Sequence, residues 1–279
     1  MDCTASREGE QMRILIIGAG RTGTGLARWF RANGLEVQIW NRSAIEEAQA
    51  QEFSRAGIVL LSSLEEAGAV EFVMFCTADA GTLVVASEVE SKAWLEGQPF
   101  LFCSGSLDIE PLRRALPGRG LARVHPAFPF CDKAMRIGRE DVINFLVESD
   151  SESRESVQRL LEATSGRSFF VDRIDKDLYH AGCVFSAGFV ASLLGMSRQL
   201  LTNSGLTEED SITISAGLAS RTLKNVQCAG GGESVVTGPS ARGETQTVVN
   251  EVLAIARNDR LLASVYELLN EAIDRKNPR

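Results

Sequence analysis

Histidine is nearly absent from this chain: His125 and His180 are its only two among 279 residues. So thin a supply argues against a histidine-based zinc centre, and no metal is expected. The six cysteines, at positions 3, 76, 103, 131, 183 and 228, form no C-x-x-C pair and show no metal-ligand spacing. Most sit in apolar surroundings and read as buried thiols of a reducing compartment. Basic excess is lacking too. Lys and Arg total 29 against 37 Asp and Glu, a formal net charge of -8, which argues against nucleic acid and anionic membrane as partners. The opening MDCTASREGEQ has no apolar core of the signal-peptide kind. No segment reads as long and apolar enough to span a membrane. A cytoplasmic location is the expectation.

What is present is an ordinary globular balance, 44% hydrophobic and 24% charged, in a length that suits two domains. The most informative stretch is residues 12–43. An apolar run, Ile14 to Ile17, ends in Gly18-Ala-Gly20-Arg21-Thr22-Gly23. A helical pattern follows, then a second apolar run ending in Trp40-Asn41-Arg42-Ser43. Strand, glycine turn, helix and strand in that order make a dinucleotide-binding unit. Gly18 permits the tight turn, Gly20 lets backbone approach a pyrophosphate, and Gly23 lets helix and strand lie close. The amide end of the helix then holds phosphate. NAD selection favours an acid at the end of the second strand. Asn41, Arg42 and Ser43 stand there instead, and a guanidinium with a serine hydroxyl suits the 2′-phosphate of NADP. The alternative for Arg42 is a solvated loop side chain.

Residues 1–172 read as alternating short strands and helices, an α/β domain with a doubly wound, mostly parallel sheet. From 173 to 279 the strand signals stop and an all-helical domain is expected. One long helix is predicted over 175–203, a second from Thr207 to about Asn225, and a third over 247–274. Thr207-Glu-Glu-Asp210 resembles a capping box. The first long helix is rich in small residues (Ala181, Gly182, Ser186, Ala187, Gly188, Ala191, Ser192, Gly195). Each glycine lowers helix propensity by about 1 kcal/mol, so close packing must compensate, either within the domain or in a homodimer.

In an open α/β sheet, ligands lie beyond the carboxyl ends of the strands. Thr77 and Ser104-Gly105 fall at such ends and are candidate cofactor neighbours. His125 ends a strand before Pro126, which restricts its backbone to extended conformations. Lys176 and His180, four apart, share a helix face. Such a pair binds a carboxylate or gives a proton to a carbonyl oxygen; the alternative is a solvated lysine and a structural histidine. Arg242, in the turn Thr237-Gly-Pro-Ser-Ala-Arg-Gly-Glu244, either grips a substrate carboxylate or pairs with Glu244.

With these motifs the whole chain resembles a bacterial two-domain family that joins a Rossmann-like NADP-binding half to a C-terminal domain of unknown function. The residues carrying the resemblance are Gly18-Ala-Gly20-Arg-Thr-Gly23, Ser104-Gly-Ser106, His125-Pro126, Lys176-Asp-Leu-Tyr-His180-Ala and the 237–244 turn. The wider superfamily, 6-phosphogluconate dehydrogenase-like, holds ketopantoate reductase, pyrroline-carboxylate reductase and β-hydroxyacid dehydrogenases. The resemblance implies a helical domain that completes the active site and often forms the dimer. It also implies catalysis by Lys176, since ketopantoate reductases and β-hydroxyacid dehydrogenases place a lysine four residues before an asparagine. Here His180 takes the asparagine position. The family's Ser-Asn within that helix is Ser186-Ala187, and Asn225 is the candidate to supply an amide in its place. The expectation is an NADPH-dependent reductase of a small keto acid, ketopantoate first. Lys176 or His180 would be the acid, and His125, Asn225 and Arg242 would hold the substrate. The alternatives are reduction of a cyclic imine or other β-hydroxy or keto acid, or an NADP-binding sensor without turnover.

Overall fold

The computed structural model describes residues 11–276. The opening segment read above, with Cys3, lies outside the described residues. The chain forms two compact units, one up to Cys183 and one from Val184 onward.

The first unit is built on an eight-stranded sheet. Its elements in chain order are β1 (Arg13–Ile17), α1 (Arg21–Ala32), β2 (Glu36–Trp40), α2 (Glu47–Ala56) and β3 (Val59–Leu60). Then come β4 (Phe72–Phe75), α3 (Asp79–Glu90), β5 (Phe100–Phe102), α4 (Glu110–Ala115) and β6 (Leu121–Ala127). The last are β7 (Asn144–Ser149), α5 (Ser151–Glu162), β8 (Arg167–Phe170) and α6 (Lys176–Val184). The strand order is β3-β2-β1-β4-β5-β6-β7-β8. Every neighbouring pair is parallel except β6 and β7. The doubly wound α/β architecture follows from the sequence pattern. Ile14, Ile16, Ile39 and Met74 enter the core on one face, and Leu15, Ile17, Val73 and Phe75 that on the other. A sheet covered on both faces has no polar side, so its strands read as unbroken apolar runs.

Two boundaries differ from the sequence reading. The strand expected to end at His125 runs on through Pro126 to Ala127, antiparallel to β7. A proline removes a ladder donor, but β5 reaches only as far as the Phe102–Arg123 pair, so β6 has no β5 partner at Pro126. The domain limit expected after residue 172 falls after Cys183, because α6 sets Tyr179 and His180 against the α/β unit, as described below.

The connection from β6 to β7 braces α1 from behind. Arg28 Nη1 donates to the Met135 carbonyl at 3.0 Å, and Lys133 Nζ donates to Gln49 Oε1 at 3.2 Å. The Gln49 amide in turn donates to the Ala19 carbonyl at 3.1 Å and to Thr24 Oγ1 at 2.9 Å.

The second unit is helical, with α7 (Val190–Asn203), α8 (Glu208–Ala229), α9 (Pro239–Arg242), α10 (Thr245–Ala256) and α11 (Arg260–Lys276). Thr207 caps α8 as its sequence predicts, accepting from the Asp210 amide at 3.1 Å. The single helix expected over 247–274 is two. Asp259 Oδ1 accepts from the Leu262 amide at 2.9 Å and starts α11 afresh. The apolar stripe crosses that turn unbroken and concealed it.

A five-residue π segment, Phe185–Phe189, joins α6 to α7. The resulting helix over Lys176–Asn203 has 28 residues and is long and apolar enough, by length and composition, to cross a membrane; none of its most apolar window is buried. This corrects the reading that no segment reaches that length. Small residues dilute the apolar ones, so no unbroken run marks it. The cysteines need correction as well. Among the described residues Cys103 alone is buried, Cys76 and Cys183 are half-buried, and Cys131 and Cys228 are exposed. Apolar sequence neighbours do not bury a residue on a helix whose apolar face is open.

Candidate active site

The glycine elbow lies where β1 meets α1. Gly18 has φ +108°, and the Gly18 amide donates to the Trp40 carbonyl at 2.8 Å. A β-carbon on Gly18 would stand 2.7 Å from the Cys76 carbonyl oxygen. One on Gly23 would stand 1.9 Å from the Gly18 carbonyl oxygen, so only glycine fits. Around Gly20, by contrast, the space is open. Gly20 begins α1, whose first turn has neither a side-chain cap nor an acidic residue. Gly20, at the head of that turn, lines a cavity of about 310 Å3, and an uncapped helix start of this kind attracts anions. Gly18, Gly20, Asn41, Arg42, Ser43, Cys76 and Thr77 line that cavity. These residues fit the diphosphate and ribose of a dinucleotide.

Asn41 ties the two strand ends together. Its Oδ1 accepts from the Ala19 amide at 3.0 Å and its Nδ2 donates to the Ser43 carbonyl at 2.8 Å. Arg42 is exposed on the cavity wall. Of the fingerprint, Ala19, Arg21, Thr22 and Gly23 are not on that wall. The Arg21 guanidinium reaches the Cys131 carbonyl, and Thr22 is half-buried in the first turn of α1. Thr77 Oγ1 lies 2.8 Å from Thr82 Oγ1, which holds the start of α3 to the end of β4.

At the end of β5, Ser104 and Ser106 both donate to Asp79 Oδ2, at 3.1 and 3.0 Å. Ser104 Oγ also accepts from the Leu107 amide at 3.0 Å. This clasp fixes the backbone on either side of Gly105. A β-carbon on Gly105 would stand 3.0 Å from His125 Nε2 and 3.0 Å from His180 Cδ2. Both histidines therefore pack against one buried glycine, their ring centres 6.3 Å apart. Strand order carries the site from the elbow at β1 and β4, across Gly105 at β5, to His125 on β6.

His125 Nδ1 lies 2.7 Å from the Tyr179 hydroxyl. Burial, then the charges of His180 and Arg123, pull the His125 pKa down to about 4. The ring is therefore neutral at pH 7. Burial, then a hydrogen bond with Cys183, raises the Tyr179 hydroxyl pKa well above its usual range, so it keeps its proton. The direction of that hydrogen bond follows the imidazole tautomer: when the phenol donates to Nδ1, the single ring N–H stands at Nε2, the nitrogen set against Gly105.

Lys176 lies elsewhere. Its ammonium pairs with Asp177 at 2.9 Å and borders a separate cavity of about 1080 Å3, lined also by Arg123, Glu148, Asp150 and Arg173. Arg123, itself buried, pairs with half-buried Glu148 between β6 and β7. In the helical unit, Arg242 donates from Nε and Nη2 to both carboxylate oxygens of Glu244, at 2.6 and 3.1 Å. Asn225 is exposed on α8. Tyr179, Asp79 and Ser106 escaped the sequence reading. Ser106 and Tyr179 do stand inside the motifs quoted for the resemblance; Asp79 carried no signal, because its partners lie far along the chain.

Two family models match. Residues 4–104 match the shikimate/quinate 5-dehydrogenase model, and residues 143–273 match a domain of unknown function, DUF2520. No curated protein sequence matches. Solved structures align over nearly the whole chain. A Bacteroides fragilis protein assigned as an NADP oxidoreductase has 20% identity and a TM-score of 0.77, over 95% of this chain and 98% of its own. A Thermotoga maritima protein has 23% identity and a TM-score of 0.66, over 95% and 99%. Pyrroline carboxylate reductase from Plasmodium falciparum, solved with NADP bound, has 15% identity and a TM-score of 0.63, over 94% and 99%. At these identities the likeness establishes the fold: a Rossmann-like sheet followed by a helical region.

Proposed function

We propose that this chain is an NADPH-dependent oxidoreductase that reduces a small keto acid or imine. The observation that carries the reading is the union of an uncapped glycine elbow with a histidine of lowered pKa whose Nε2 lies against Gly105 at the next strand end. The amides of α1 and the Arg42 guanidinium would hold the dinucleotide phosphates. NADPH, when bound, supplies hydride. His125 Nε2 gives a hydrogen bond to the substrate oxygen or nitrogen, on which charge changes as it is reduced. Tyr179 keeps the donating tautomer in place. His180, exposed and adjacent, delivers the proton. In this reading His180 takes the acid role over Lys176, whose ammonium is engaged by Asp177 and borders the other cavity.

Ketopantoate is the first keto acid to test, on the strength of the motif resemblance. The cyclic-imine reading is favoured by the solved neighbours, which include pyrroline carboxylate reductase and a Pseudomonas imine reductase. NADPH oxidation should be followed with ketopantoate, other 2-keto acids and pyrroline-5-carboxylate. Turnover that falls in His125→Ala and survives Lys176→Ala is the expected result. NADPH binding without turnover on any substrate would leave the sensor reading. Arg42→Asp should weaken NADPH roughly tenfold to a hundredfold and spare NADH; equal NADPH affinity would remove that residue from the cofactor site.

The proposal extends to a homodimer through the helical unit. Its helices α7, α8, α10 and α11 all expose large apolar side chains, among them Leu193, Leu218, Leu253 and Leu268. Exposure spread over four helices suits a second copy better than a lipid bilayer, which would account for the single apolar helix alone.

A further inference from the structure

We propose that Cys76 and Cys103 are a peroxide-oxidisable dithiol whose closure releases the dinucleotide. The release half rests on the cofactor reading above; the dithiol half does not. The two residues follow directly on the paired ends of β4 and β5, where Phe75 lies beside Phe102. Their sulfurs are 3.2 Å apart. A disulfide needs about 2.05 Å between sulfurs, so closure asks for a movement of about 1 Å from residues already side by side. Cys76 is half-buried and lines the elbow cavity, whereas Cys103 is buried. Burial raises the pKa of the Cys103 thiol. Cys76 is therefore the sulfur that meets an oxidant arriving through the cavity, and Cys103 the one that resolves it.

The chemistry balances with hydrogen peroxide as oxidant. Cys76, as thiolate, attacks one peroxide oxygen and the O–O bond breaks. The sulfur becomes a sulfenic acid, and the departing hydroxide takes up a proton as water. Cys103 sulfur then attacks the Cys76 sulfur, the S–O bond breaks, and the leaving hydroxide carries off the Cys103 proton as a second water. Two thiols lose two electrons in all, and one peroxide is reduced to two waters.

The link to the cofactor is a backbone tether. The Cys76 amide donates to the Ile17 carbonyl at 2.8 Å, immediately before Gly18. Drawing Cys76 toward β5 therefore pulls on the turn that presents the α1 amides. Losing one charge-assisted hydrogen bond to a phosphate weakens binding roughly tenfold.

The test uses the full chain, reduced, then treated with hydrogen peroxide, alkylated and digested for mass spectrometry. The expected product is a 76–103 crosslinked peptide in wild type, absent from Cys103→Ala and Cys103→Ser, and reversed by dithiothreitol. Calorimetry should show NADPH affinity falling roughly tenfold on oxidation of wild type and recovering fully with dithiothreitol. Saturating NADPH should slow crosslinking. Oxidation confined to Cys131 or Cys228 would overturn the dithiol. A crosslink with unchanged NADPH affinity would overturn the release. Reduced protein that binds no NADPH would remove the cofactor reading and the release with it, whereas the crosslinked peptide would still report the dithiol directly.

Discussion

The sheet of the first unit is covered on both faces by two continuous apolar cores, whereas the helices of the second hold Ile255, Leu262 and Ala263 as their only buried hydrophobic residues among those described. Both units have apolar residues in abundance. The difference lies in how many faces each element must cover. The central strands β4 and β5 are buried throughout, and β1 in all but its first residue, within one chain. Helix α11 turns Leu262 and Ala263 inward and leaves Leu261 and Leu268 exposed at 76% and 64%. A helix with apolar residues on more than one side has more surface to bury than its own unit supplies. The first unit buries most of its large apolar residues by itself, and the second leaves many of its own exposed.

That contrast can be broken most severely at Gly23. Gly23→Ala places a methyl 1.9 Å from a backbone oxygen of the elbow, and NADPH affinity should fall by roughly a hundredfold or more. Circular dichroism should keep the helical signal of the second unit. Loss of both signals together would show that the units do not fold independently.

A smaller effect, on association alone, is expected from Leu218→Asp combined with Leu253→Asp. Two carboxylates in an apolar interface cost several kcal/mol unpaired, so light scattering should show a monomer where wild type is a dimer. NADPH affinity should stay as it was. A wild type that is monomeric at every concentration would refute the completion of the helical unit by a second copy.

A third effect is a pH dependence lodged in the first unit. Unfolded, His125 takes up its proton as pH falls through 6.5; folded, it resists until about 4. Within that window the unfolded chain binds more protons, so stability present above 6.5 is lost as pH falls. The full loss is on the order of 3 kcal/mol. Denaturant titrations should show a shallower acid decline in His125→Gln than in wild type. Parallel declines in the two would mean that His125 is not held neutral.

The elbow was legible in the sequence because its reasons are local. A positive φ at Gly18, a close approach at Gly23 and a phosphate-sized opening at Gly20 all fall within six residues. The alternation of strands and helices was legible for a similar reason, since a sheet covered on both faces writes itself as apolar runs. The partner of His125 was not. Tyr179 meets it across 54 residues of sequence, and the pairing exists only once β6 runs past Pro126 and α6 comes back to it. The i, i+4 relation of Lys176 and His180 was read correctly as spacing. It did not reveal that an aspartate next to Lys176 engages the ammonium while His180 borders Gly105.

The segment between β6 and β7 has a consequence for how the protein tolerates damage. By length and position it looks like a surface loop, the kind of place where a protease nick or an inserted residue usually passes unnoticed. Lys133 grips Gln49, however, and Gln49 grips the Ala19 carbonyl inside the phosphate turn. A cut near Lys133 would slacken a guy-rope whose far end is the nucleotide cradle, so the scar would be felt as lost grip on the coenzyme rather than as a frayed edge.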